Sequence, residues 1–190
     1  MSPSKLASIP EILEDLRAGK MILLIDDEDR ENEGDFVMAA EYITVEQIVQ
    51  MNRLASGIIT VPMERQRLKA LNIELMVQEN YESMSTAFTV TVDAKDDIST
   101  GSSAHDRALT IRKLADPNAT ADNFVRPGHI NPLLAREGGV LRRTGHTEAS
   151  IDLMKLAGLQ PVGVLCEVMG DDGEMLRLPA LQELAEQMGL

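Results

Sequence analysis

The sequence is poor in cysteine and in aromatic residues. It has one cysteine, no tryptophan, two tyrosines and three phenylalanines in 190 residues. A single cysteine excludes an internal disulfide and a multi-cysteine zinc site. Basic residues are also scarce, because 18 Lys and Arg against 31 Asp and Glu give a net charge of −13. A chain this acidic, with so few rings to stack on bases, does not have the composition of a nucleic-acid-binding protein.

Long apolar runs and a targeting signal are missing as well. No apolar stretch approaches the ~20 residues of a membrane span, so we expect no membrane partner. The first twenty residues lack a basic segment followed by an apolar one, which excludes a secretion signal. We therefore expect a cytoplasmic protein. The length predicts one domain over residues 1–190, large enough to bury roughly 70% of the surface that its unfolded chain exposes.

Short helix and strand signals alternate along the chain, which predicts an α/β or α+β domain. Capping patterns at Ser8, Thr44 and Ser103 predict three helix starts. Further predicted helices cover residues 63–71, a stretch after residue 147, and residues 181–188. Predicted strands cover residues 21–25, 36–40, 58–61, 86–92 and 162–168. In residues 86–92 the alternation predicts a face open to solvent, and the many prolines and glycines of residues 116–139 predict mostly loop.

An acidic block, residues 26–35, joins two predicted strands and reads Asp-Asp-Glu-Asp-Arg-Glu-Asn-Glu-Gly-Asp. Seven carboxylates at this density repel one another unless a cation offsets them, and oxygen-rich clusters suit hard cations such as Mg²⁺. The alternative is a solvated acidic loop. Its position between two strands and its internal Arg30 favour a binding site.

A second block, residues 138–147, combines two glycines, two arginines, two threonines and a histidine just before a predicted helix. Guanidinium groups, hydroxyls and the free N–H groups of a helix start are what a phosphate binds. The alternative is a surface turn with a helix cap at Thr147. His146 adds a possible metal ligand or proton carrier.

Two single residues are candidates for proton transfer. His129 follows Arg-Pro-Gly and is expected on a stiff turn, where an imidazole can act as acid or base, although it could be an ordinary loop histidine. Glu167 ends an apolar strand, where a carboxylate must be paired, metal-bound or neutral unless it faces water. Together these segments predict a metal-dependent enzyme for a small phosphorylated substrate.

The motifs resemble those of the 3,4-dihydroxy-2-butanone 4-phosphate (DHBP) synthase family of riboflavin biosynthesis. The similarity runs from about residue 13 to the end of the chain. It rests on residues 26–35, Arg-Pro-Gly-His at 126–129, Gly-Gly-Val-Leu at 138–141, Arg-Thr-Gly-His-Thr-Glu-Ala at 143–149 and Gly-Val-Leu-Cys-Glu at 163–167.

The resemblance implies an α+β fold with a mixed sheet, a homodimer with sites near the subunit interface, and conversion of D-ribulose 5-phosphate into L-3,4-dihydroxy-2-butanone 4-phosphate and formate. It implies Mg²⁺ or Mn²⁺, one or two ions per site, with Glu31 and His146 as metal ligands. The implied substrate-binding residues are Arg30, Glu31, Glu33, Asp35, Arg143, Thr144, Gly145, His146, Thr147 and Glu167, with His129, Glu167, Asp35 and Glu33 as catalytic groups.

The chemistry expected from this resemblance begins with proton removal beside the ketone, where a cation stabilises the enediolate. Skeletal rearrangement and loss of C4 as formate follow. Thr60 replaces a cysteine common in relatives, and relatives often extend beyond residue 190, some into a GTP cyclohydrolase II domain. A pentose-phosphate isomerase or aldolase and a non-enzymatic acidic metal-binding module remain alternatives.

Overall fold

The computed structural model describes residues 6–190. The first twenty residues were interpreted above as lacking a secretion signal. Residues 1–5 of that segment lie outside the range that the structure describes. No helix in the described range is long and apolar enough to cross a lipid bilayer.

Six α-helices and six strands are found in residues 6–190. The helices are α1 (Ile9–Arg17), α2 (Val45–Leu54), α3 (Arg65–Ala70), α4 (Ala104–Ala115), α5 (His146–Ala157) and α6 (Leu178–Met188). The strands are β1 (Ile22–Ile25), β2 (Gly34–Ala39), β3 (Thr60–Met63), β4 (Val92–Ala94), β5 (Phe124–Leu134) and β6 (Gly163–Glu167).

The six strands form one mixed sheet in the order β1-β2-β6-β3-β5-β4. β3 and β5 are parallel, and the other neighbouring strands are antiparallel. The predicted α+β class with a mixed sheet and surrounding helices is therefore confirmed. In the central ladder, Asp35 of β2 lies opposite Glu167 of β6, so the sheet itself places two carboxylates side by side.

The helix starts follow the local sequence. Ser8 and Thr44 each form a capping box with the residue three positions later, and the Ser103 side chain accepts the N–H of Asp106. These contacts satisfy N–H groups that have no partner inside the helix. The predicted caps are confirmed, whereas α5 begins two residues earlier than predicted, with Gly145 at its N-cap.

Two apolar layers hold the sheet in place. One face packs against α2, α3 and α4, and the other packs against α1 and α5. Cys166 lies fully buried in the first layer, and burial raises the pKa of its thiol to about 12. The cysteine therefore packs as a small buried hydrophobe.

The segment predicted to be mostly loop contains the eleven-residue strand β5, so that prediction was wrong. Pro127 and Gly128 fit because the pairing with β4 shifts between Val92 and Asp93, which leaves residues 126–129 outside the regular ladder. The N–H groups of Gly128 and His129 donate to side chains on the neighbouring segment instead. Proline and glycine here mark a bulge within a strand.

The predicted solvent-facing threonines of residues 86–92 were also wrong in part. Thr89 is fully buried, and its hydroxyl donates to the carbonyl of Pro132 at 2.9 Å. Only Val92 of this stretch belongs to a named strand, because Phe88 and Thr89 form isolated bridges. The alternation arises from a polar side chain that is paired inside the protein.

Arg67 of α3 is expected to be a large single contributor to stability. Its guanidinium donates to the carbonyls of Leu114, Ala119 and Asp116 at 2.8, 3.3 and 2.5 Å. Replacement of Arg67 by Ala removes these three hydrogen bonds and is expected to lower the free energy of unfolding by about 2 kcal/mol. Urea denaturation measures the change, with Arg65→Ala on the same helix as the control. Equal stability of the two variants would contradict this role.

Candidate active site

A cavity of about 240 Å³ collects side chains from distant parts of the chain. Its lining consists of Arg30, Glu31, Glu33, Asp35, Thr60, Glu82, Thr86, Phe88, Leu133, Arg143, His146, Thr147, Leu165 and Glu167. Most of the residues predicted from the two sequence blocks thus lie together. Thr144, Gly145 and His129 do not line the cavity, and Thr144 is exposed to solvent.

The acidic loop is organised around Asp26. Its carboxylate accepts the guanidinium of Arg30 at 2.6 Å and the N–H groups of Glu31 and Glu33 at 3.2 and 2.8 Å. Burial raises the pKa of Asp26, but these hydrogen bonds outweigh it and hold the pKa below its ordinary value. The Asp26 carboxylate is therefore ionised at neutral pH, and its hydrogen bonds hold Arg30 and the backbone of Glu31 beside the cavity.

Three further ionisable groups meet where β2, β6 and α5 come together. Asp35 and Glu167 are cross-strand neighbours, and Nδ1 of His146 lies 3.6 Å from Oδ1 of Asp35 and 4.0 Å from Oε2 of Glu31. Burial and the charges of Glu167 and Glu31 raise the pKa of Asp35 well above its ordinary value. Burial also lowers the pKa of His146, which favours the neutral imidazole.

These groups fit a divalent cation. Asp26, Glu31 and His146 each offer one ligand atom, and the three atoms lie within 4.8 Å of one another. Oδ1 of Asp35 and Nε2 of His146 are buried without a hydrogen-bond partner among the described residues. Unpaired carboxylate and imidazole atoms of this kind suit a metal ion such as Mg²⁺ or Mn²⁺. Sequence reasoning had proposed Glu31 and His146, and the geometry adds Asp26.

The second block brings a guanidinium group to the same cavity. Arg143 forms an ion pair with the buried Glu148 at 2.6 Å. A side chain at Gly145 would overlap the guanidinium of Arg143 and press on that of Arg30. Glycine is therefore needed where these two cations approach the start of α5. Thr147 in the first turn of this helix adds a hydroxyl, so this end of the cavity suits an anionic ligand.

Glu167 is held by the turn that precedes β3. Its Oε2 accepts the N–H of Ile58 at 2.9 Å. A Cβ at Gly57 would overlap the backbone and the carboxylate of Glu167, so the turn passes directly against this residue. One carboxylate oxygen is thereby positioned, and the side chain keeps a fixed direction within the cavity.

His129 lies apart from the cavity, on β5 and not on the stiff turn predicted for it. Its Nδ1 lies 2.7 Å from Oδ2 of the buried Asp93, whose Oδ1 accepts the N–H of His129 at 2.9 Å. The imidazole side chain is 47% exposed. Asp93 therefore orients the ring through Nδ1.

Sequence reasoning missed two polar residues of the lining. Glu82 and Thr86 come from the connection between α3 and β4, where no acidic or glycine-rich pattern marks a site. Thr60, noted above only as a replacement of cysteine, is buried and also lines the cavity. The available signal was the density of hydroxyl and carboxylate residues in 79–86.

Comparison with known proteins shows the family to which the chain belongs. A family model for 3,4-dihydroxy-2-butanone 4-phosphate synthase matches residues 10–190. The chain belongs to the DHBP synthase family. Among solved structures, a DHBP synthase in complex with two magnesium ions has a TM-score of 0.93 and 41% identity, with 97% of this chain and 91% of that chain covered. The two-domain RibBX from A. baumannii has a TM-score of 0.93 and 45% identity, with 97% of this chain and 54% of that chain covered.

Curated relatives of the DHBP synthase family are longer than this chain. It is 56% identical over 186 residues to the bifunctional riboflavin biosynthesis protein RIBA 1 of Arabidopsis thaliana, covering 97% of this chain and 34% of that protein. It is 50% identical over 185 residues to a DHBP synthase of Pseudomonas aeruginosa, covering 97% of this chain and 51% of that protein. The chain thus spans about a third to a half of the relatives' length.

Proposed function

We propose that this chain converts D-ribulose 5-phosphate into L-3,4-dihydroxy-2-butanone 4-phosphate and formate, as a lyase of riboflavin biosynthesis. The supporting observation is the single cavity in which a cation donor set, an arginine beside a helix start and paired carboxylates meet. A sugar phosphate needs these three features together, and the chain belongs to the DHBP synthase family.

The two ends of the cavity define the orientation of the substrate. Arg143 and Thr147, with the backbone of Thr144 and Gly145 nearby, bind the phosphate. Arg30 is fixed by Asp26 and Glu31 at 2.6 and 2.5 Å, so it donates to sugar hydroxyls from a fixed position. The reacting carbons then lie near Asp35 and Glu167.

Proton transfer is assigned to the carboxylates and to one imidazole. Asp35 has a raised pKa, which suits a group that takes a proton from carbon and gives it back to a departing hydroxyl. Burial and the charge of Glu31 also raise the pKa of Glu33, so it can share these steps. Glu167, positioned by Ile58, lies beside Asp35 and can exchange a proton with a neighbouring atom of the substrate, and His129 supplies a further acid or base.

A divalent cation held by Glu31 and His146, Mg²⁺ or Mn²⁺, supplies polarisation of the substrate oxygens when it is bound. Asp26 keeps the Glu31 loop in the shape required for that ligand. Titration of the protein with Mg²⁺ and with Mn²⁺ measures the number of ions bound and the preferred metal.

The deciding experiment follows carbon-13-labelled ribulose 5-phosphate by NMR with the purified protein and Mg²⁺. We expect one formate for each substrate consumed, and no formate when a chelator is added. Rearranged pentose phosphates without formate would indicate an isomerase. Smaller aldehydes without formate would indicate an aldolase. An unchanged substrate, with metal binding intact, would indicate a binding module and reject the proposal.

We also propose a homodimer that completes each cavity with His129 from the second copy. The support is geometric. His129 is absent from the cavity of its own chain, its side chain is half exposed, and Val125 on the same strand is 42% exposed. A second copy packed against β5 would cover these exposed residues.

We also propose that residues 1–190 can form part of a longer protein. The Arabidopsis relative is named as bifunctional, and several bacterial relatives are named RibBA. We propose that residues 1–190 form one DHBP synthase domain that can be joined to a GTP cyclohydrolase II domain. We place its reaction in the cytoplasm, with no nucleic-acid or membrane partner.

A further inference from the structure

The segment that follows β6 turns back and begins α6 beside the acidic loop. The N–H of Leu176 donates to the carbonyl of Val168 at 3.0 Å, which closes a hairpin between β6 and α6. The N–H of Val168 in turn donates to the carbonyl of Gly34 at 2.8 Å. Arg177, the N-cap residue of α6, is therefore held near the point where the acidic loop enters β2.

Helix α6 packs directly against this point of entry. Leu181 of α6 is fully buried, and a Cβ atom at Gly34 would lie only 2.6 Å from its Cδ1 atom. No side chain fits at Gly34 while α6 keeps its position. Glycine therefore allows the helix to approach the end of the acidic loop closely.

The Arg177 side chain reaches from α6 to the acidic loop. Its Nη1 donates to the carbonyls of Glu31 and Asn32 at 2.7 and 2.5 Å and lies 3.9 Å from Oε1 of Glu33. Within residues 6–190, no backbone N–H donates to these two carbonyls. The chain turns at Asn32, whose φ is 54°, and two successive carbonyls thereby reach one guanidinium nitrogen.

Glu31 is consequently held at both of its backbone polar groups. Asp26 accepts its N–H at 3.2 Å, and Arg177 donates to its carbonyl. Both partners are charged, and hydrogen bonds to charged groups are stronger than those between neutral groups. With its backbone fixed in this way, Glu31 directs its carboxylate towards the imidazole of His146, whose Nδ1 lies 4.0 Å from Oε2.

The location of Arg177 contradicts the local preferences of a helix start. Ser, Thr, Asp and Asn are favoured at the N-cap, and the positive end of the helix dipole disfavours a cation there. The Arg177 side chain makes no cap hydrogen bond. A residue that is unfavourable for its own helix and contacts a distant loop has its role in that contact.

We propose that Arg177 is a positioning residue for the metal site, which sets the direction of the Glu31 carboxylate by holding the backbone of residues 31 and 32. The inference rests on the proposed function, since that makes Glu31 a ligand of the divalent cation. Arg177 acts through Glu31, because it does not line the cavity itself. Helix α6 thereby becomes part of the support of the site.

Binding of Mn²⁺ separates this role from a purely electrostatic one. Arg177→Met removes a positive charge beside the acidic loop, and Coulomb's law alone predicts that Mn²⁺ then binds more tightly. Loss of positioning predicts the opposite, and we expect binding about tenfold weaker than in the wild type. Electron paramagnetic resonance measures free Mn²⁺ during titration of the purified full chain.

Two further variants complete the titration. Arg177→Lys keeps a cation with three N–H donors and is expected to recover most of the lost affinity. Arg65→Met removes the same charge from an exposed position on α3, outside the cavity, and is the matched control. It is expected to bind Mn²⁺ as the wild type does. Arg177→Ala replaces the methionine variant if that variant does not fold.

Hydrogen exchange of the metal-free chain gives a readout that does not depend on the metal. We expect the amides of residues 27–33 to exchange at least about fivefold faster in Arg177→Met than in the wild type. In steady-state assays the Mg²⁺ concentration for half-maximal formate release should rise about tenfold, while kcat at saturating Mg²⁺ stays within about threefold.

Mn²⁺ affinity in Arg177→Met equal to or higher than that of the wild type would overturn the inference, as would unchanged hydrogen exchange in the acidic loop. A wild-type chain that does not bind Mn²⁺ would reject the proposed metal site together with this role of Arg177. Absence of formate with Mn²⁺ bound would reject only the proposed reaction, and the titrations would still decide the role of Arg177.

Discussion

Replacement of Glu167 by glutamine is expected to lower the rate of formate release by about 10²–10⁴-fold. The amide has nearly the same size, and its oxygen can still accept the N–H of Ile58, which lies 2.9 Å from the carboxylate in the wild type. It cannot carry a proton between substrate atoms. We therefore expect kcat to fall while KM stays close to the wild-type value, as measured by formate production under saturating Mg²⁺.

Glu183→Gln is the control for that measurement, because Glu183 lies exposed on α6, outside the cavity. It removes the same charge from the chain and is expected to leave kcat unchanged. Circular dichroism and a urea titration establish that both variants are folded. A folded Glu167→Gln variant that retains kcat within tenfold of the control would remove Glu167 from the proton-transfer steps.

Two inactive variants are expected to restore activity when they share a dimer. In a heterodimer of His129→Ala and Glu167→Ala chains, one cavity combines an intact Glu167 with an intact His129 from the second copy, and the other cavity lacks both. The purified heterodimer should show about half of the wild-type activity, since one of two symmetric sites is whole. Chains with different affinity tags, expressed together, allow this species to be isolated.

Each homodimer of a single variant, carried through the same purification, is the control and is expected to release no formate above the metal-only background. An inactive heterodimer would mean that each chain uses its own His129 or that His129 does not take part. Sedimentation of the wild-type chain as a monomer at assay concentrations would reject the shared cavity altogether.

Much of the local structure could be predicted from short-range patterns. The caps at Ser8, Thr44 and Ser103 depend on side chains three positions from their partners, and such contacts form in any tertiary setting. The acidic block and residues 138–147 also signal chemistry by composition alone. Their convergence in one cavity follows from the order of strands in the sheet, which no local pattern contains.

The strand β5 and the loop of residues 80–86 were not predictable for different reasons. Proline and glycine normally interrupt strands, but in β5 they occupy a bulge whose N–H groups are satisfied by Thr91 and Asp93. Thr86 becomes part of the site through its contact with Arg143, 57 positions away in sequence. The polar composition of residues 79–86 does not indicate which of their hydroxyls makes such a contact.

Asp35 and Glu167 share one rung of the ladder between β2 and β6. Backbone hydrogen bonds on both strands keep their Cα atoms at a set spacing, so mutual repulsion cannot be relieved by drawing apart. Only uptake of a proton or arrival of a cation can relieve it. This part of the protein therefore responds to its surroundings by changes of charge on a rigid frame, and either a proton on Asp35 or a cation bound nearby lowers the repulsion.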